Sequence, residues 1–393
     1  MKIAYVYDAV FPWEAGGVQK RVWELSRRLA EDHDVHWYGM QYWDGPATIE
    51  REGVTIHGVM DSRELYVDGR RSIPEALSFA AHLARPLSRE RFDVIDVQEF
   101  PYFPTFTSKL RSITGDATLV MTWHEIWDEY WHEYLGWKGT AGRAVERLCT
   151  VVPDVHFGVS ESTCRDLEAM NVTCHSLVPN GIELESIDAA PASGDELTAV
   201  FVGRLIPEKN PCTVARALGI LREEYGVEVS GCFVGDGPER ERLVEVIAEE
   251  GLEDSVAVHD YLDEQPELFG LMKAADAFVL PSEREGFSIT ALEALACGTP
   301  VVTADHPRNN AASLVDEPHT GSITGLDPES VAEGIHRALT GSSPEACRRF
   351  ASSYSWDEVA GEIEALYRKA ADGGTFSAND RRLHGGSAAP GES

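Results

Sequence analysis

Two glutamates, Glu285 and Glu293, stand eight positions apart in Glu285-Gly-Phe-Ser-Ile-Thr-Ala-Leu-Glu293, and the strand-like Pro300–Thr303 follows. Eight helical steps return to within roughly 80° of the starting face, so a helix opening near the first acid carries the second a little over two turns inside. The backbone N–H groups of Gly286, Phe287 and Ser288 would then point outward at a helix N-terminus, an anion site. An anion between acids that accept hydroxyl protons describes a nucleotide sugar: diphosphate on the amides, ribose and hexose on the carboxylates. The plain alternative is a surface helix with two solvated glutamates.

Cations for that diphosphate lie in Val202-Gly203-Arg204-Leu-Ile-Pro-Glu-Lys209-Asn210-Pro211. Arg204 and Lys209 leave a strand end, and Asn210 with Pro211 predicts an N-cap and first turn for the next helix. Their natural task is to neutralise charge on a departing pyrophosphate. Gly16-Gly17 opens the first helix and would let a ligand approach the backbone. Neither this pair nor Gly235-Asp-Gly237 forms a dinucleotide fingerprint, which disfavours a nicotinamide enzyme. His124 in Thr-Trp-His-Glu-Ile-Trp-Asp128 follows a strand and can face a cleft. With Asp128 and His132 it also shares a helical spacing that admits a metal, and a structural histidine is a further reading. Trp127, Tyr130, Trp131, Tyr134 and Trp137 are an acceptor groove or core. The single Asp-x-Asp, Asp32-His33-Asp34, falls in a turn at the wrong sheet end, so no metal or other cofactor is expected.

These residues need a scaffold of strand ends. Ile3–Tyr7, Asp34–Tyr38, Val94–Val97 and Thr118–Thr122 read as strands with a helix at Val18–Ala30. The alternation then restarts with strands at Ala199–Gly203, Glu228–Val234, Ala277–Leu280 and Pro300–Thr303 and helices at Thr213–Tyr225 and Glu239–Glu250. Such runs imply parallel sheets covered on both faces, with ligands beyond the strands' C-terminal ends. Two Rossmann-like units are expected, at 1–185 and 195–350, joined through the polar stretch Ile187–Glu196. A disordered tail is expected at 371–393.

With 393 residues, two domains are the default. Acids number 66 against 34 bases, only seven of them lysine, for a net charge of −32. That balance opposes nucleic-acid binding and suits a halophile's hydrated, salt-screened surface. The seven cysteines contain no C-x-x-C pair, and several sit in apolar stretches and read as small buried hydrophobes of a reduced compartment. The first residues read as a strand without a leader, so a cytoplasmic location is expected.

The chain resembles the family 4 glycosyltransferases, retaining enzymes of the GT-B fold with two Rossmann-like domains facing across a cleft. The likeness extends over most of 1–370. Glu285…Glu293 is similar to the family's E-x7-E motif, Arg204 and Lys209 to its diphosphate pair, Gly16-Gly17 to its glycine loop, Pro179-Asn180-Gly181 to its hinge-side Asn-Gly, and His124 to its N-domain histidine. The resemblance implies that Glu293 holds the ribose, Glu285 the transferred sugar, and Arg204 and Lys209 the leaving pyrophosphate. Gly16, Gly17, Asn180, Gly203, Gly235, Gly286, Phe287 and Ser288 complete the implied binding set. It also implies a last helix, within 355–370, that crosses back to the first domain. The donor would be a UDP or GDP sugar and the acceptor a glycan or lipid-linked hydroxyl, with peripheral contact at the inner membrane face. A sugar-nucleotide epimerase or a non-catalytic binding partner fits the same residues. One segment departs from the family: Ala304-Asp-His-Pro-Arg-Asn-Asn-Ala-Ala312 lacks the usual Gly-Gly loop and following acid. Asp260 likewise stands where the family often has glycine near the base pocket.

Overall fold

The computed structural model describes residues 1–14, 16–67, 70–194, 196–262 and 265–376. The elements of the first half are β1 (Lys2–Val6), α1 (Gly17–Leu29), β2 (Asp34–Gln41), β3 (Thr48–Arg51), β4 (Val54–Asp61), β5 (Tyr66–Val67), β6 (Arg70–Arg71), α2 (Ile73–Leu87), β7 (Val94–Gln98), α3 (Pro104–Gly115), β8 (Thr118–Trp123), α4 (Tyr130–Leu135), α5 (Gly139–Cys149), β9 (Val155–Gly158), α6 (Glu161–Ala169) and β10 (Ser176–Leu177). Then follow α7 (Leu184–Ala189), β11 (Ala199–Val202), α8 (Pro211–Tyr225), β12 (Gly231–Val234), α9 (Arg240–Glu249), β13 (Val256–His259), α10 (Gln265–Ala274), β14 (Phe278–Leu280), α11 (Ile289–Cys297), β15 (Val301–Ala304), β16 (Gly321–Thr324), α12 (Pro328–Gly341), α13 (Pro344–Ser352) and α14 (Trp356–Ala371).

They form two compact units, one of residues 1–180 together with the chain from Trp356 onward, the other of 181–355. In the first, eight strands run in the order β10-β9-β8-β7-β1-β2-β4-β3, parallel throughout except for β3. Strands such as Ile3–Val6 are buried on both faces and so read as unbroken apolar runs. The second unit holds six parallel strands in the order β13-β12-β11-β14-β15-β16. In both sheets every connection through a helix returns the chain to the same edge, which gathers the strand ends and their loops there.

Helix α14 belongs to the first unit. Trp356, Val359, Ile363, Leu366 and Tyr367 recur at three- and four-residue spacing and are buried in the core that also holds Ile3, Val22, Trp37 and Phe157. Tyr367 Oη donates to Asp96 Oδ2 at 2.5 Å and lies 3.1 Å from Tyr5 Oη. The chain leaves and re-enters this unit at one point, since Ile182 N donates to Tyr354 O at 2.8 Å.

The unit boundary falls at Asn180, ahead of the Pro/Gly-bearing stretch expected as a linker. Leu184–Ala189 is helical, not linker, and Ile187 is buried in the second unit's core. The short β9, β10, β13 and β16 carry too few residues to show a period, and the β3–β4 hairpin was likewise unread. Of the expected disordered tail, 377–393 lies outside the described residues, while Phe376 packs edge-on to Phe157 and His175 with ring centroids 6.1 and 5.2 Å apart. The described residues contain no helix long and apolar enough to cross a membrane.

Five large apolar side chains at about 1.5–3 kcal/mol each make α14 worth about 10 kcal/mol to the first unit, comparable with a whole domain's stability. A chain ending at Ser355 should therefore lose the first unit's melting transition and keep the second's. Calorimetry on the full and shortened chains reads this directly.

Candidate active site

In the second unit the C-terminal strand ends meet through glycines. Gly235 follows β12 with φ 149°, and a Cβ there would sit 2.0 Å from the Gly203 carbonyl oxygen at the end of β11. Gly203 in turn lies under the Lys209 side chain, whose Cδ and Nζ are 3.3 and 3.4 Å from where a Cβ would stand. Lys209 Nζ reaches Glu285 Oε2 at 2.9 Å, with both side chains largely buried. Ser282 Oγ donates to the same oxygen at 3.5 Å. Two loops carry this pair and are stitched together: Glu283 N donates to Glu208 O at 2.8 Å, and Asn210 Nδ2 to Pro281 O at 3.1 Å.

That last bond corrects one expectation. Asn210 takes the N-cap position of α8 in the left-handed conformation, but its side chain makes no cap. The amide is spent on the neighbouring loop instead. Arg204 leaves β11 exposed to solvent, and among the described residues no carboxylate pairs with it.

The glutamates are not both on one helix. Helix α11 begins at Ile289, with Ser288 Oγ accepting from Ala291 N at 3.4 Å. Glu285 sits before the helix and Glu293 is buried little more than one turn inside, so the same-face argument over eight helical steps does not apply. The N–H groups of Gly286, Phe287 and Ser288 donate to none of the described residues and lie in the turn just ahead of α11. The divergent loop Ala304–Ala312 closes on this segment. Glu285 N donates to Arg308 O (2.9 Å), Asn310 N to Glu285 O (2.9 Å), and Asn310 Nδ2 to Gly286 O (2.7 Å). Asn309 braces the loop from below through Thr303 Oγ1 at 3.0 Å and Ala304 O at 2.8 Å. Sequence reading singled this loop out only for what it lacks; its two asparagines are the signal that was missed. Asp260 is exposed and pairs with Arg240 at 3.0 Å.

In the first unit, His124 stands just past the end of β8. Its Nε2 lies 2.8 Å from Gln98 Oε1. The Gln98 amide is oriented by its own Nε2 donating to Asp96 Oδ1 at 3.1 Å, and Asp96 also accepts from Thr122 Oγ1 at 2.9 and 3.0 Å. Gln98 therefore presents an acceptor, His124 carries its proton on Nε2, and Nδ1 keeps its lone pair. The Glu99 carboxylate fixes the backbone beneath by accepting from His124 N and from Glu125 N, the latter at 2.8 Å. Burial, and behind it the Arg21 charge, push the His124 pKa down to about 3, so the ring is neutral. Burial raises Asp96 to about 6. Asn180 is held by buried Arg21, whose Nη1 donates to Asn180 Oδ1 at 3.0 Å and Pro179 O at 2.5 Å. Gly16 is the N-cap of α1 and Gly17 its first residue, both exposed, at a helix start without a capping side chain.

The helical spacing of His124, Asp128 and His132 does not form, because α4 starts only at Tyr130. Asp128 instead takes Arg143 at 2.6 Å. The aromatics divide. Trp127 stacks on Phe100 at 5.3 Å and lies tilted against Trp131 at 4.8 Å within a cluster that includes Tyr134, whereas Trp137 is exposed. The cysteines are not all thiols: Cys164 and Cys174 form a disulfide between α6 and the segment entering β10, meeting above Gly158 where a side chain would collide with Cys164 Sγ. The other five are buried and unpaired.

This geometry can be set beside known proteins. Over 94% of the chain the fold matches a sucrose-phosphate synthase from Thermosynechococcus elongatus (TM-score 0.74, 19% identity, 98% of that chain) and Anabaena HepE in complex with UDP and glucose (TM-score 0.70, 17% identity, 99% of that chain). The architecture is thus that of the two-domain α/β GT-B type. The glycosyltransferase family 4 model matches residues 15–186 and the glycosyl transferases group 1 model residues 184–354. The chain belongs to the family 4 glycosyltransferases of the group 1 type. A D-inositol 3-phosphate glycosyltransferase from Salinispora tropica is 33% identical over 226 residues, 49% of this chain and 46% of that protein. The chain thus spans about half the length of the curated relatives it first matches. An MMP alpha-(1->4)-mannosyltransferase from Mycolicibacterium hassiacum is 26% identical over 90% of this chain and 95% of its own length.

Because the folded pKa of His124 lies below the ordinary 6.5, its contribution to stability is complete above pH 6.5 and erodes as pH falls toward 3. An NMR titration should show no inflection for His124 between pH 5 and 8. Gln98→Glu places a carboxylate on Nε2 and should bring an inflection into that window. A His124 titrating near 6.5 in the native protein would contradict the half-buried, Gln98-fixed ring.

Proposed function

We propose that this protein is a retaining, metal-independent glycosyltransferase that moves a hexose from a UDP or GDP sugar to a hydroxyl of a glycan or lipid-linked acceptor. The observation that carries the reading is the Lys209–Glu285 pair at 2.9 Å, set at glycine-lined strand ends beside three backbone N–H groups that donate to none of the described residues. Cations and amides receive a diphosphate, and carboxylates receive hydroxyls. Glu293, buried in α11, holds the ribose, Glu285 the transferred sugar, and Lys209 with exposed Arg204 the pyrophosphate. Gly203 and Gly235 admit the ligand to the backbone, and Gly286, Phe287 and Ser288 offer their amides. Within the first unit, His124 offers a neutral ring with a bare Nδ1 that can accept from a hydroxyl, and the Gly16-Gly17 helix start and Asn180 are further proposed binding positions.

In the proposed reaction the bond between the sugar C1 and the phosphate oxygen breaks first. An acceptor hydroxyl oxygen bonds C1 from the face the nucleotide leaves, and its proton passes to the departing phosphate oxygen. The nucleoside diphosphate and the extended glycan are released. The protein's contribution is position and a fixed positive field for the leaving group.

Removing one charge-stabilising group of this kind lowers turnover about a hundredfold or more, and Lys209→Ala and Glu285→Ala should each do so while the protein stays folded. Turnover should persist in excess EDTA. Calorimetry with UDP, GDP and ADP in concentrated KCl, with Glu293→Ala as control, names the donor: one nucleotide should bind, and the variant should lose it. Product formation unchanged in both alanine variants would refute the site. Sugar released or interconverted without any acceptor would point to an epimerase.

A further inference from the structure

The loop that departs from the family reaches the proposed diphosphate site through one residue, Asn310. Its backbone N–H donates to Glu285 O at 2.9 Å, and its side-chain Nδ2 donates to Gly286 O at 2.7 Å. A single residue thus grips two successive carbonyls. Neither bond belongs to a helix or to the sheet, since Glu285 and Asn309 meet as an isolated parallel bridge.

Peptide geometry carries that grip to the opposite side. The peptides after Glu285 and Gly286 are trans, and in a trans peptide the carbonyl and the following N–H point opposite ways in one plane. Holding Glu285 O toward Asn310 therefore turns the Gly286 N–H away from it. Holding Gly286 O does the same for the Phe287 N–H. In an extended strand successive carbonyls point to opposite edges, whereas here both turn toward one residue. The two N–H groups are left together on the other side, the arrangement of a backbone nest that receives an anion. Neither donates to a described residue.

The rest of the loop is fixed to the sheet. Asn309, only 5% exposed, donates to Thr303 Oγ1 at 3.0 Å and to Ala304 O at 2.8 Å at the end of β15. Thr303 Oγ1 donates in turn to Leu280 O of β14 at 2.8 Å, and Asn309 Oδ1 accepts from Ala311 N at 3.1 Å. Glu285 N closes the circuit on Arg308 O at 2.9 Å. Beyond the grip, Phe287 packs against the second unit's core and Ser288 caps α11. Asn309 is the foundation, and half-buried Asn310 bears on the site.

We infer that Asn310 is a positioning residue of the donor site, aiming the Gly286 and Phe287 N–H groups at the diphosphate of the nucleotide sugar. The inference rests on the sugar-nucleotide reading of this site and adds the device that orients its amides. The test is NMR titration of the full chain in concentrated KCl with UDP, GDP and ADP and with their parent nucleosides. It compares the native protein with Asn310→Ala, which removes the side-chain donor, and Asn310→Asp, which keeps the shape but sets a carboxylate against the Gly286 carbonyl. Both variants keep the backbone N–H. For the diphosphate that binds the native protein, affinity should fall about tenfold or more in each variant, because hydrogen bonds to a charged group lose their alignment. Affinity for the nucleoside, which has no phosphate, should stay unchanged. In the native protein the Gly286 and Phe287 amide resonances should move on binding. The inference is overturned if a folded variant keeps the native ratio of diphosphate to nucleoside affinity, or if both affinities fall together as in a general loss of structure. It is equally overturned if bound diphosphate leaves the two native amide resonances in place, a measurement that needs no variant to fold. A native protein that binds none of the three diphosphates fails the sugar-nucleotide reading itself, and the inference with it.

Discussion

The second unit's site depends on the close approach of strand ends that only glycine permits. With Gly235 seated on the Gly203 carbonyl, the loops after β11 and β12 share one small space, and Leu205 N can bond Asp236 O at 2.8 Å. A side chain at Gly235 would collide with the Gly203 carbonyl and displace the start of the loop that carries Lys209, and one at Gly203 would crowd the Lys209 side chain itself. The ion pair is therefore a consequence of backbone packing, secured by the Glu283–Glu208 bond and the Asn210 amide. A partly buried pair on two independent loops would otherwise be held weakly, because desolvation offsets much of its attraction.

A comparable dependence runs through the first unit. Asp96 is buried beneath His124 and accepts from Tyr367, Thr122 and Gln98, which come from α14, β8 and β7. The last helix of the described residues is thus wired to the tautomer of a histidine some two hundred and forty positions earlier. Buried polar networks of this kind specify one arrangement when every member is satisfied. The helix contributes core volume to the sheet and a hydroxyl to the network, so its loss would affect both stability and the ring's orientation.

Alternation of strand and helix, the glycines at strand ends and the spacing of cations and acids were legible without coordinates, because each is a local pattern with a direct physical meaning. They were enough for the two parallel-sheet units and for gathering Gly203, Lys209, Gly235 and Glu285 at one sheet edge. The Asn210 side chain, the bracing role of Asn309 and Asn310, the Gln98–Asp96 support of His124 and the Cys164–Cys174 disulfide were not legible. Each depends on which segment the fold brings alongside, and a polar side chain carries no mark of its distant partner. The same holds for α3: its sequence shows an apolar stripe of Phe106, Leu110 and Ile113, but only packing decided that the stripe faces water, because Arg111 found its carbonyl partners on the inside.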